Sequence, residues 1–261
     1  MKILDNKEFQ KLKFQFTDNT QDQYQENLIL FLHGLGDNNK NYFNLAKQLN
    51  LPQSSILSVQ APYKLPFTYD HEEMYMWWDS FNLEDGSELN ITHRDKSYQQ
   101  SLTLLKELLD YTQSKGYKIN NTFLFGYSQG GTMALQLALE YPLPLCGVIA
   151  IAALPLDSFL EKQTQHSMRG FDTKLLFIIG DKDEKNTKAI YTNSINKLKD
   201  VVTKEWDEYI KLKIIKGKGH EMSHKKEEVD IWMEFFSSNL KLRQPQLEAM
   251  ADEIIEIKRE E

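Results

Sequence analysis

Short apolar runs without a polar face recur along the chain. LILFL at 28–32 is continuous, as expected of a strand buried on both faces. Runs at 56–59, 122–125, 145–152 and 174–179 (KLLFII) read the same way, 211–215 reads as a last strand, and 14–16 reads as a short edge strand. Between them, apolar residues return every three or four positions, the period of an amphipathic helix. Such segments cover 39–49, with Phe43, Leu45, Ala46 and Leu49 on one stripe, and 95–114, with Leu102, Leu105, Leu108 and Leu109, closed by Gly116. Others cover 132–140, 187–201 and 227–240, the last turning Val229, Ile231, Trp232, Phe235 and Phe236 inward. Strands alternating with helices imply parallel pairing through crossovers, the doubly wound α/β class. Ligands of such sheets bind beyond the carboxyl ends of the strands.

Two stretches break the alternation. From 61 to 93 the periodicity fails, although Pro62, Pro66, Phe67, Trp77, Trp78 and Phe81 lie there, before an acidic turn at 84–87. A segment so long and so aromatic is expected to be an ordered loop packed over a site. After Pro245, Leu247, Met250, Ile254 and Ile257 recur at helical spacing among acidic residues. Residues 1–240 are therefore expected to form one domain and 241–261 a helical tail docked on it.

Composition narrows the class. The 261 residues suffice for one large α/β domain, and 41% hydrophobic with 26% charged residues reads as globular. A net charge of −7 argues against nucleic acid and anionic lipid as partners. No apolar run approaches the ~18 residues of a membrane span, so stable membrane insertion is not expected. The polar residues 1–25 lack the apolar core of a signal peptide. Cys146, the single cysteine, reads as a small hydrophobe in a strand, and a reducing, cytoplasmic setting is the simpler expectation.

Candidate chemistry gathers where strands end. Gly126-Tyr127-Ser128-Gln129-Gly130 stands between an expected strand and an expected helix. In that setting G-x-S-x-G is a nucleophile elbow, a tight turn that lifts the serine hydroxyl clear of the sheet. A serine needs a base to take its proton, and the base needs an anion to fix its tautomer. The order in this fold is serine, acid, histidine. Asp181 and Asp183 compete as the acid, and Asp183, further into its loop, is preferred. His220 follows the last expected strand and a glycine-rich turn; His224 is held in reserve, and His166 has no strand before it. His33-Gly34-Leu35-Gly36 follows the first buried strand, so the backbone N–H groups of Leu35 and Gln129 are the expected oxyanion donors. His33 itself reads as a structural residue bonded to loop backbone. A rival pattern, H-E-x-x-H, begins at His220, but Gly217 and Gly219 disfavour the long helix that zinc chemistry needs, and no metal is expected.

With these residues assembled, the chain resembles the acyl-protein thioesterase/carboxylesterase, or lysophospholipase-like, family of α/β-hydrolases. The resemblance rests on FLHGLGD (31–37), QAP (60–62), WWDSF (77–81), GYSQGG (126–131), ALPL (153–156), GDKD (180–183) and GHEMS (219–223), in family order. It implies an α/β-hydrolase fold, Ser128, Asp183 and His220 as a triad, Leu35 and Gln129 as oxyanion donors, and no cofactor. It also implies hydrolysis of oxyesters or thioesters of fatty acids, carried by an S-acylated protein or a lysolipid. Leu65, Trp77, Leu154 and Met222 are the expected apolar lining, where each buried methylene contributes about 0.8 kcal/mol before ordering costs. The chain departs from the family pattern at Ala153, where an aromatic residue is usual, and at Glu184-Lys185-Asn186, where Val-Pro is usual. A catalytically silent binding protein for an apolar ligand on the same fold is the competing expectation.

Overall fold

In the computed structural model, which describes residues 2–18, 25–69, 72–82, 87, 91–163, 167–168, 171–202, 206–222 and 225–244, the apolar runs form a twisted central sheet. In chain order the elements are β1 (Phe14–Thr17), β2 (Asn27–Leu32), α1 (Asn39–Gln48), β3 (Ser54–Val59), β4 (Tyr63–Tyr69) and β5 (Glu72–Met76). Then come α2 (Ile91–Ser114), β6 (Thr122–Tyr127), α3 (Gln129–Glu140), β7 (Gly147–Ile151), α4 (Asp157–Leu160) and β8 (Lys174–Gly180). The last are α5 (Lys188–Val202), α6 (Trp206–Tyr209), β9 (Ile210–Ile215) and α7 (Lys226–Asn239).

The sheet runs β1-β3-β2-β6-β7-β8-β9, parallel throughout except for β1, which pairs antiparallel with β3. A continuous apolar run is needed because successive side chains enter different cores. Leu28, Leu30 and Leu32 of β2 face one layer, with Leu124, Val148, Ala150, Leu175 and Phe177, under α2, α3 and α5. Ile29 and Phe31 face the other, with Phe123, Phe125, Ile149, Ile151 and Ile178, under α1 and α7. Helices therefore cover both faces, as the alternation of periods requires. No helix among the described residues is long and apolar enough to cross a membrane.

The stretch from 61 to 93 differs from the expected loop. It contains an antiparallel hairpin of β4 and β5, and α2 begins four residues earlier than its apolar stripe suggests. Pro66 hides the hairpin from pattern reading, since proline in an apolar run argues against a strand. Here the register shifts between Lys64 and Thr68, around that proline. β5 also bridges to the turn after β2: Gly36 N–H donates to Tyr75 C=O at 2.9 Å, and Tyr75 N–H to Asp37 C=O at 3.0 Å.

Of the expected tail, Lys241 and Arg243 bond back to the opposite end of the sheet. Lys241 N–H donates to Asn27 Oδ1 and Arg243 N–H to Gln53 Oε1, each at 2.9 Å. The acidic turn at 84–86, His166, Ser223, His224 and the helical expectation for 245–261 lie outside the described residues.

Candidate active site

Ser128 stands between β6 and α3 with φ 51° and ψ −120°, a left-handed conformation that a serine adopts only when its surroundings enforce it. Packing enforces it here. A Cβ on Gly126 would lie 2.4 Å from Gly130 O, and one on Gly130 would lie 2.2 Å from Leu32 O and 2.4 Å from His33 O. Only hydrogen at both positions lets α3 start this close to β2 and β6. Ser128 N–H donates to Ile151 C=O at 2.9 Å, which pins the turn to the end of β7.

The structure brings Ser128, His220 and Asp183 together from the ends of β6, β9 and β8. Ser128 Oγ lies 2.8 Å from His220 Nε2, and His220 Nδ1 lies 3.0 and 3.1 Å from the two Asp183 oxygens. An ionised carboxylate only accepts, so the Nδ1 proton donates to Asp183 and Nε2 is left to accept from the serine hydroxyl. Burial opposes ionisation of Asp183. Hydrogen bonds from the Tyr191 hydroxyl, the Asn186 N–H and His220 outweigh it and hold the carboxyl below the ordinary aspartate range. The competing Asp181 is used otherwise: its Oδ1 accepts from Gly217 N–H at 2.6 Å, in the turn that precedes His220.

The histidine segment is held from several directions. Tyr127 donates its hydroxyl proton to His220 C=O at 2.9 Å. Burial, with the nearby Asp183 and other acidic groups, pushes that phenol up to about 12, so it remains a donor at neutral pH. His220 N–H donates to Glu184 Oε2 at 3.1 Å. Residues 216–222 form a turn and bends rather than a helix, so the H-E-x-x-H pattern is not displayed on a helical face there.

Around the turn after β2, His33 is fully buried, and burial lowers it to about 4, so the ring is neutral at physiological pH. Its Nδ1 faces Gly34 C=O at 2.8 Å, which makes Nδ1 the protonated nitrogen. Nε2 then accepts from Ala61 N–H and from the Gln60 amide, both at 3.0 Å. In a trans peptide the carbonyl and the next N–H point in opposite directions, so fixing Gly34 C=O also fixes Leu35 N–H, away from His33. Gln129 opens α3, where first-turn N–H groups have no intrahelical acceptor. Its side chain clamps the aromatic segment: Oε1 accepts from Trp77 N–H at 2.8 Å, and Nε2 donates to Trp78 C=O at 3.2 Å and to Ser80 Oγ at 2.6 Å.

The expected lining is only partly at a surface. Leu65 is 2% and Trp77 0% exposed, which corrects the expectation that both line an open pocket. The indole N–H of Trp77 donates to His33 C=O at 2.8 Å, and its ring stacks at a tilt 5.6 Å from that of His33. Trp77 thus supports the turn after β2 from beneath. Leu154 and Met222 are half-buried, and Met222 lies 3.9 Å from the Tyr42 hydroxyl. Ala153, where the family pattern carries an aromatic residue, is 2% exposed and packs against Gly131, whose added Cβ would lie 2.5 Å from it. Pattern reading missed Tyr127 as a brace, Tyr191, Glu184 and the Gln129 side chain. Each acts through a contact that crosses elements, and none carries a motif of its own.

Known proteins share part of this sequence and its fold. Over 146 residues the chain is 30% identical to an uncharacterized hydrolase of Schizosaccharomyces pombe, an alignment covering 54% of this chain and 58% of that protein. It is 28% identical to acyl-protein thioesterase 1 of Cryptococcus neoformans var. neoformans over 53% of this chain and 60% of that one. The matched stretch thus spans less than two thirds of either relative. The fold is shared with the crystal structure of esterase PE8, at TM-score 0.69 and 22% identity over 88% of this chain and 100% of that one. It is also shared with Zea mays acyl-protein thioesterase 2, at TM-score 0.65 and 19% identity over 88% and 99% of the two chains. Residues 17–239, nearly the whole of the sheet and its helices, match one family throughout, and the chain belongs to that family, the phospholipase/carboxylesterase family of α/β-hydrolases.

Proposed function

We propose that this protein is a serine hydrolase that cleaves carboxylic esters or thioesters bearing an apolar acyl group. Ser128 attacks the acyl carbonyl while His220 Nε2 takes the hydroxyl proton. The charge that develops on the carbonyl oxygen is met by the N–H groups of Leu35 and Gln129, each worth roughly 3 kcal/mol of transition-state stabilisation. His220 returns the proton to the leaving alcohol or thiol, and an acyl-enzyme remains. A water then gives up a proton to His220, attacks the acyl carbonyl and releases the acid, regenerating the serine. Asp183 keeps the Nδ1 proton in place and stabilises the imidazolium in both half-reactions. Every proton moved passes through side chains of this chain, and the scheme uses no cofactor or metal. The half-buried Leu154 and Met222 offer apolar surface to the acyl group. An S-acylated protein or a lysolipid in the cytoplasm would present such an acyl group to this chemistry.

The observation that carries the reading is the pair of distances at His220, 2.8 Å to Ser128 Oγ and 3.0 Å to Asp183 Oδ2. A fluorophosphonate probe tests it. The expected result is a single covalent adduct on the peptide containing Ser128, found by mass spectrometry and formed more slowly while a saturating short aryl ester is present and competing for the site. A folded protein left unmodified would instead be a binding protein on a hydrolase fold. Comparison of kcat/KM across acylated peptides, lysolipids and aryl esters then selects the substrate class.

A further inference from the structure

The segment carrying His220 is joined on one side to the loop carrying Asp183. Lys182 N–H donates to Lys218 C=O at 2.9 Å, and Gly217 N–H and His220 N–H reach Asp181 and Glu184. The contact is tight: a Cβ on Gly180 would lie 2.0 Å from Lys218 O. On the other side the segment meets α7 through an ion pair inside the protein. Lys218 Nζ lies 2.8 Å from Glu228 Oε2, and the two side chains are 1% and 2% exposed. The contact is an ion pair by distance without hydrogen-bond geometry, and among the described residues neither atom has a hydrogen-bond partner. Glu228 belongs to the first turn of α7, where the helix dipole favours a carboxylate. Lys218 stands two residues before His220.

Such a pair is a weak source of stability. Taking two ions out of water offsets most of their attraction, and apolar residues of similar volume in their place are commonly as stable or more so. Loss of one partner, by contrast, leaves a buried charge uncompensated. What an ion pair supplies and an apolar contact does not is a fixed distance between two named atoms. With its carbonyl hydrogen-bonded to the acid loop and its ammonium ion-paired with α7, Lys218 is held at both ends. Both links act two residues before His220.

We infer that the Lys218–Glu228 ion pair is a positioning device for His220, setting the imidazole at hydrogen-bonding distance from Ser128 by tying residue 218 to the start of α7. The inference rests on the proposed role of His220 as the base. Neither Lys218 nor Glu228 touches substrate or reacting atoms; both act through the backbone that carries the histidine.

The test compares the full-length wild type with Lys218→Met/Glu228→Leu, which replaces the ions by apolar groups of similar size. Three quantities are read: the thermal midpoint, kcat and KM on a short aryl ester, and the downfield NMR resonance of the proton between His220 Nδ1 and Asp183. The expected result is an unchanged or raised midpoint and a KM within about twofold of wild type. With these, kcat falls roughly ten- to a hundredfold, the scale of a small misplacement of a catalytic group, and the His220 resonance broadens or shifts. A double variant with wild-type kcat and an unmoved resonance overturns the inference. Should the double variant fail to fold, Glu228→Gln, which keeps the shape and removes the charge, takes its place with the same two readouts. If the fluorophosphonate leaves wild-type Ser128 unlabelled, the hydrolase reading fails by itself. The resonance still decides the role of the ion pair, because it reports the geometry of His220 without turnover.

Discussion

The hydroxyl of Tyr191, in the first turn of α5, donates a 2.6 Å hydrogen bond to Asp183 Oδ2. Tyr191 has no exposed surface, so the bond has no competition from water. Asp183 Oδ1 is met from the other side by the N–H groups of Lys185 and Asn186, both at 2.9 Å. The carboxylate is thus held by its own loop and the following helix as well as by His220. Tyr191→Phe keeps the ring and removes the donor. A hydrogen bond to a charged group contributes about 1.5–3 kcal/mol, and a loss of that size is expected at neutral pH. The sign with pH follows from the depressed Asp183 value: its contribution is complete above the ordinary aspartate range and is lost as pH falls through the folded value. The gap between wild type and variant in urea midpoint should therefore shrink on acidification from neutral pH, and a constant gap would reject this account.

Ser128→Ala removes the proposed nucleophile and leaves the elbow standing. Turnover of a short aryl ester should drop roughly a millionfold, about 8 kcal/mol in the barrier, with the circular dichroism spectrum unchanged. Retention of even a tenth of the activity would assign the chemistry elsewhere.

His33 predicts a pH dependence of stability. Its folded value is lowered from 6.5 to about 4, so the unfolded chain binds the extra proton first as pH falls. Stability is complete above the unfolded value and is lost progressively as pH drops toward the folded one, by up to ~3 kcal/mol. In His33→Gln, which lacks a titrating ring, this slope should be absent from denaturation midpoints measured across that window, whatever the variant's absolute stability.

Gly130→Ala tests the packing that forces the elbow. Its Cβ would meet two backbone carbonyl oxygens, at 2.2 and 2.4 Å, which cannot move as a flexible side chain would. The expected outcome is destabilisation of about 3 kcal/mol, read by urea denaturation, with reduced fluorophosphonate labelling of the protein that remains folded. A variant as stable and as reactive as wild type would show that α3 can retreat from β2 at little cost.

The sheet was legible because its inner strands, β2, β3, β6, β7 and β8, are buried on both faces. LILFL and KLLFII admit few other readings, and all seven strands of the sheet coincide with apolar runs to within a residue or two. The hairpin of β4 and β5 was not legible. It lies outside the central sheet, one strand contains Pro66, and its pairing slips beside that proline. At the site, motif and position pointed to Ser128, Asp183 and His220, each just past the end of a parallel strand, and the fold places the three within hydrogen-bonding distance. Tyr191, Glu228 and the clamp made by the Gln129 side chain escaped notice for a different reason. A tyrosine on an amphipathic helix and a glutamate in a first helical turn have ordinary explanations in sequence. Their special partners appear only when two distant elements meet. Trp77 shows the reverse error: an aromatic residue in a candidate loop suggested a pocket wall, whereas its ring is an internal prop for His33.

In the sheet order, β9 is outermost, paired with β8 alone, and His220, the proposed base, is attached just beyond it. The serine, in contrast, hangs from β6, flanked by β2 and β7. Peripheral strands detach at lower free energy than central ones. Warming should therefore silence the protein before it melts: the temperature of half-inactivation, measured by brief heating and immediate assay, should fall below the midpoint of ellipticity loss. Cooling should restore the activity, because the unfastened flank has an intact template on which to close again.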